Sequence, residues 1–137
     1  MSGEIPSFHD AKFVGIQLLG EKARLTLVRY NGEPWEIVLT GLEALQMDNF
    51  RQGNIVTHFE LIQKVRPDKE LLERLFPSPH PAAAQVYQDA YAEFLDKKVA
   101  LVEAGQAVLL SIEPAYGADL IAFTGQLSAK KLTSTPV

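Results

Sequence analysis

Residues 23–40, ARLTLVRYNGEPWEIVLT, decide how the chain folds. Apolar residues recur there at a period of two on both sides of Tyr30, Asn31 and Gly32, the pattern of two strands that each bury one face around a turn. Turn length then sets the register. A two-residue turn over Asn31 and Gly32 puts Leu25 and Leu27 on the face of Glu36 and Val38 and sends Trp35, Ile37 and Leu39 to the other side, which splits the apolar set. A three-residue loop, with Gly32 left-handed in a G1 bulge, sets Leu27 opposite Trp35, Leu25 opposite Ile37 and Ala23 opposite Leu39, and it faces Arg29 with Glu33. Glycine takes that conformation without steric cost, so the three-residue loop is the predicted one.

Working outward, residues 13–19 and 54–62 read as further strands, and residues 42–50, which fit neither period cleanly, are assigned to strand. The period changes after residue 62. A short helix is expected from Pro67 or Asp68 through Leu75, stopped by Pro77, Pro79 and Pro81. A longer one is expected from near Pro81 to just before Gly105, with Val86, Tyr87, Ala90, Tyr91, Phe94 and Leu95 as its packed stripe. Residues 107–113 and 118–125 then form a last hairpin around Pro114, Ala115, Tyr116 and Gly117. Because Leu109-Leu110 and Leu120-Ile121 are adjacent apolar pairs, both faces of that hairpin need cover.

These elements predict an α+β fold: a mainly antiparallel sheet of about six or seven strands, curled or sandwich-like, with a helical insertion before the last hairpin. At 137 residues surface scaling hides roughly two-thirds of the unfolded chain's surface, enough for one core and a single domain over residues 1–137. Residues 128–137 have little to bury and are expected to fray. Val14, Ile16, Val28, Val38, Val56 and Ile62 lie on alternate strand faces, and cover for them would come from a second sheet layer or from a twofold homodimer.

Cysteine is absent and the net charge is −4. The first fact rules out disulfides, thiolate metal sites and a cysteine nucleophile, and it points to the cytoplasm. No run approaches the ~18 apolar residues of a membrane span, and the first residues lack a signal-peptide pattern, so no membrane partner is expected. Acids and bases are interspersed along the chain, leaving no basic stripe for a phosphate backbone and hence no expectation of nucleic acid.

No nucleotide, metalloprotease, nucleophile-elbow or calcium-loop pattern occurs, and no cofactor is expected. The candidate binding residues are Asp48, Asn49 and Arg51, in a polar loop between strands, and Tyr116 at a hairpin tip, where an amphipathic ring makes a contact residue. A metal would require His58 and Glu60, two apart on one strand face, to meet His9 and Asp10 from a neighbouring strand. Turn chemistry and solvated sheet positions explain these residues more simply.

The strings FHDA (residues 8–11), DNFRQGNIV (48–56) and IEPAYGADLIA (112–122) resemble segments of a family of small bacterial proteins to which no activity is assigned. The resemblance implies a bacterial, stand-alone, single-domain protein and transfers no catalytic residue. The functional expectation is a small cytosolic binding or protein-interaction module without cofactor, and an enzyme is not favoured. The alternatives are an immunity-type protein that neutralises a partner toxin, and an enzyme or small-molecule binder with a cleft between helix and sheet.

Overall fold

The computed structural model describes residues 5–133. Its elements follow in the order β1 (Lys12–Leu19), β2 (Lys22–Val28), β3 (Pro34–Asp48), β4 (Asn54–Ile62), α1 (Lys69–Leu75), α2 (Gln85–Glu103), β5 (Val108–Tyr116) and β6 (Asp119–Lys131). The β2–β3 hairpin has the register that its turn chemistry demands: Leu27 pairs with Trp35, Leu25 with Ile37 and Ala23 with Leu39. Gly32 sits at φ +87°, its amide donates to the Arg29 carbonyl at 2.8 Å, and Arg29 meets Glu33 at 3.0 Å.

All six strands are antiparallel and close into a barrel in the order β1-β2-β3-β6-β5-β4. This corrects the expectation of an α+β protein with a curled or sandwich-like sheet: the chain is mostly β, a closed six-stranded barrel carrying two helices. The physical reason lies in β3 and β6. Glycines at 41 and 125 suggested strand ends, yet both strands run through them and bend together. The β3 register shifts between Leu42 and Ala44, the Thr124 hydroxyl donates to the Thr40 carbonyl at 2.9 Å, and a bulge of this kind turns a strand without ending it. Each long strand therefore serves both halves of the wall. Closure comes from β1 meeting β4 through Lys12 opposite Ile55 and Phe13 opposite Asn54.

The C-terminal stretch also differs from expectation. Instead of fraying from Ser128, β6 continues to Lys131 and pairs Ser128, Ala129, Lys130 and Lys131 with Val38, Ile37, Glu36 and Trp35. The rest of that stretch, residues 134–137, lies outside the described residues.

Closing the barrel separates two apolar clusters. Phe8, Phe13, Leu25, Leu27, Ile37, Leu39, Val56, Leu110, Ile112 and Leu120 fill the interior. Outside it, Leu72, Leu75, Leu95, Val99 and Val102 of the helices pack on Ile62, Leu109, Ile121 and Phe123. The adjacent apolar pairs of the last hairpin are thus covered on both faces. Each such buried side chain contributes about 1.5–3 kcal/mol. Much of the cover for which a second layer or a dimer was invoked is internal: Val56 and Ile62 are buried, one in each cluster, and Ile16 packs on the interior.

Asp68 caps α1, its carboxylate accepting from the Glu70 amide at 3.0 Å, and the helix stops before Pro77 as expected. Helix α2 starts at Gln85 rather than near Pro81, and its packed face is Tyr91, Leu95, Val99 and Val102. Val86, Tyr87, Ala90 and Phe94, expected in the stripe, are exposed. On this same face Lys98 lies over the rings of Phe76, Phe94 and Phe123, 4.8–5.6 Å from their centroids, and pairs with Glu43. Among the described residues no helix is long and apolar enough to cross a membrane.

Candidate functional site

The end of β3, the start of β4, the end of β5 and the start of β6 meet at one end of the barrel, and a single side chain ties them. Asn54 is 2% exposed. Its Oδ1 accepts from the Arg51 amide at 2.8 Å and from the Ala118 amide at 3.0 Å, while its Nδ2 donates to the Phe13 carbonyl at 3.0 Å. The network assigns the amide orientation, since two donors face one end and an acceptor the other. Gly117 completes the fit at φ +89°, where a Cβ would lie 2.2 Å from Asn54 Oδ1. The β3–β4 loop, the β5–β6 turn and the start of β1 are thereby locked to one another.

All four sequence-predicted binding residues come to this end. Asp48 closes β3 opposite Asp119, whose carboxylate lies 3.3 Å from Arg74 of α1. Asn49 takes φ +61°, which lets the loop turn. Arg51 is held by its backbone, so its side chain is exposed, and among the described residues no carboxylate lies within 4.0 Å of it. Tyr116 pairs with Ile55 and is 52% exposed. Sequence reasoning missed Phe50, which is 43% exposed and packs edge-on against Phe13 at 5.5 Å. It also missed Asn54 as the fastening, because an asparagine ahead of a strand reads as an ordinary turn residue. Between the start of β1 and the loop is a cleft of about 600 Å³ lined by Phe13, Val14, Phe50, Arg51, Gln52 and Gly53.

The residues considered for a metal do not converge. His9 Nδ1 lies 2.6 Å from the Thr57 carbonyl, and its Nε2 is 3.6 Å from Asp10. His58 turns toward β5 and meets Glu113 at 3.2 Å. Glu60 pairs in register with Ser111. His9, His58 and Glu60 border one shallow cleft beside β4, but among the described residues no three such ligands come together to hold a metal.

The three strings at residues 8–11, 48–56 and 112–122 fold against each other around this end. The Asp10 amide donates to the Val56 carbonyl at 2.8 Å, the Val56 amide donates to the Ala11 carbonyl at 2.9 Å, and Asn54 joins the second string to the third. Comparison of the chain with protein-family models, with curated proteins and with solved structures finds no match.

Proposed function

We propose that the protein is a cytoplasmic protein-interaction module without cofactor, and that it engages its partner with the end of the barrel built on Asn54. The supporting observation is the combination of a rigid base with exposed anchors: Phe50, Tyr116 and Arg51 project from backbone that a buried, fully bonded asparagine holds in place. Aromatic and arginine side chains are the residues that dominate protein interfaces, and a pre-ordered backbone lowers the entropy lost on docking. The absence of cysteine supports a reducing compartment. Between α2 and the sheet the second apolar cluster packs the two layers together.

Site-specific photo-crosslinking in cells tests the reading. A photoreactive residue at Phe50 or Tyr116 should trap one defined protein, and the same residue at Tyr30 or Val86, also exposed, should not. The trapped protein, purified, should bind at least tenfold more weakly to the Phe50→Ala, Tyr116→Ala double variant at unchanged melting temperature. Equal trapping at all four positions, or unchanged binding by the variant, would reject this surface.

A further inference from the structure

Among the described residues, β1, β4 and β6 each leave part of an edge without a strand beside it, and two of these edges differ in how they are protected. Strand β6 loses β5 after Thr124 opposite Val108, and β1 pairs with β4 only through Lys12 and Phe13. The free part of β6 is guarded: residues 126–131 read QLSAKK, with two lysines and a serine, the charged edge that discourages pairing with another chain. The free part of β1 has a bulge at Val14, where the register shifts between Phe13 and Gly15, and beyond it no charged or proline guard. From Phe13 to Gly20 the sequence is FVGIQLLG, without a charge or a proline, and Leu18 and Leu19 are 58% and 46% exposed, one on each face of the strand. Such an edge presents unpaired amides and carbonyls at strand spacing, a chemistry that another extended backbone satisfies.

Resting on the protein-interaction reading above, we propose that the β1 edge over residues 14–19 is a strand-addition site for an extended, apolar segment of the partner that carries a carboxylate. The edge opens at its Val14 end into the cleft whose other wall is Phe50, Arg51, Gln52 and Gly53. A strand laid on β1 there places alternate side chains toward Phe13 and Phe50, and its carboxylate toward the unpaired guanidinium of Arg51. Lys12 is exposed at the same end of the edge, also without a carboxylate within 4.0 Å among the described residues. Both free cations thus favour an acidic occupant.

The probe is a phage-displayed library of random decapeptides selected against the purified protein, with amide hydrogen exchange as the readout. In the free protein, alternate amides of residues 14–19 should exchange fast. Selected peptides should alternate apolar residues around an Asp or Glu and should protect those amides. They should lose about tenfold in affinity on N-methylation at alternate positions, and by a similar factor against Arg51→Glu. Arg51 uses only its backbone in the fold, so that variant keeps the barrel. The proposal is overturned if no peptide is enriched, if the protected amides lie elsewhere, or if the edge amides are already slow in the monomer. Protection that rises with protein concentration alone would overturn it in favour of a second copy as occupant. Should the partner trapped at Phe50 bind without protecting residues 14–19, strand addition fails while the interaction surface stands.

Discussion

Two side chains fasten the barrel, and they do so by opposite means. Glu33 is partly buried and charged: its Oε1 accepts from Arg29 at 3.0 Å and from the Trp35 indole at 2.8 Å, and its Oε2 lies 3.3 Å from Lys131. Asn54 is neutral and buried, with its three bonds made to backbone. The first fastening joins β3 to the last residue of β6, and the second joins two loops to β1. A carboxylate with three donors trades on its charge, so its value depends on pH. A buried amide has no charge to lose, and removing it strands backbone groups away from water, where each unsatisfied group costs about 1–3 kcal/mol.

The largest effect that would test this contrast is expected from Asn54→Ala. It leaves the amides of Arg51 and Ala118 and the carbonyl of Phe13 without their partner, and should lower stability by about 3 kcal/mol in urea unfolding at any pH between 5 and 8. A loss below 1 kcal/mol would show that water replaces the amide. Next come two glycines with nearly the same backbone. Gly117 and Gly32 have φ +89° and +87°, but a Cβ at Gly117 strikes Asn54, whereas at Gly32 it meets nothing within 4 Å. Gly32→Ala should cost the conformational penalty alone, about 1–2 kcal/mol. Gly117→Ala should cost more, since Asn54 must also move, and in an Asn54→Ala background the gap between the two glycine substitutions should shrink to what the remaining 3.2 Å contact with the backbone Cα of residue 54 imposes.

A smaller effect separates the fastenings by pH. Hydrogen bonds from Trp35 and Arg29, aided by Lys131, hold the Glu33 carboxyl at about 2, against 4.5 for the free group. The folded form stays ionised while the unfolded chain takes up a proton, so the contribution of Glu33 is complete above about pH 4.5 and is lost as the pH falls toward 2. The pairing of Asp96 with Lys69 lowers that carboxyl too. The measurement is therefore a difference: the urea midpoint of Glu33→Gln should fall less between pH 6 and pH 3 than that of the parent. The smallest effect belongs to the exposed anchors. Phe50→Ala and Tyr116→Ala should each change stability by about 0.5 kcal/mol or less, because neither side chain is buried.

How much of this was legible in the sequence follows from the separation of the groups that meet. The β2–β3 hairpin could be read to the residue because its turn chemistry and cross-strand pairs lie within eighteen positions, residues 23–40. Barrel closure could not. It depends on two residue pairs between β1 and β4 and on glycines at 41 and 125 that bend strands where the sequence suggests ends. Asn54 reads as a turn residue in its own neighbourhood, and its role emerges only from Phe13 and Ala118, which lie 41 and 64 positions away. That Asp48, Asn49, Arg51 and Tyr116 lie in exposed connections could be read because polar loops and hairpin tips announce themselves locally. Phe50, a lone aromatic within that polar run, was the available clue to the surface beside them.

The pairing of β3 with β6 along nearly its whole length also sets a timetable for the nascent chain. Strand β3 has β2 on one side from the outset, but its other edge waits for β6, about 80 residues later in synthesis, or roughly 4–16 s at 5–20 residues per second. Through that interval Ile37 and Leu39 have no complete interior to enter, and the open edge of β3 faces the crowded exterior of the ribosome. Domains built from such distant pairings fold slowly once complete. A chaperone that shields extended apolar segments would therefore act on this chain chiefly between the appearance of Asp48 and that of Lys131.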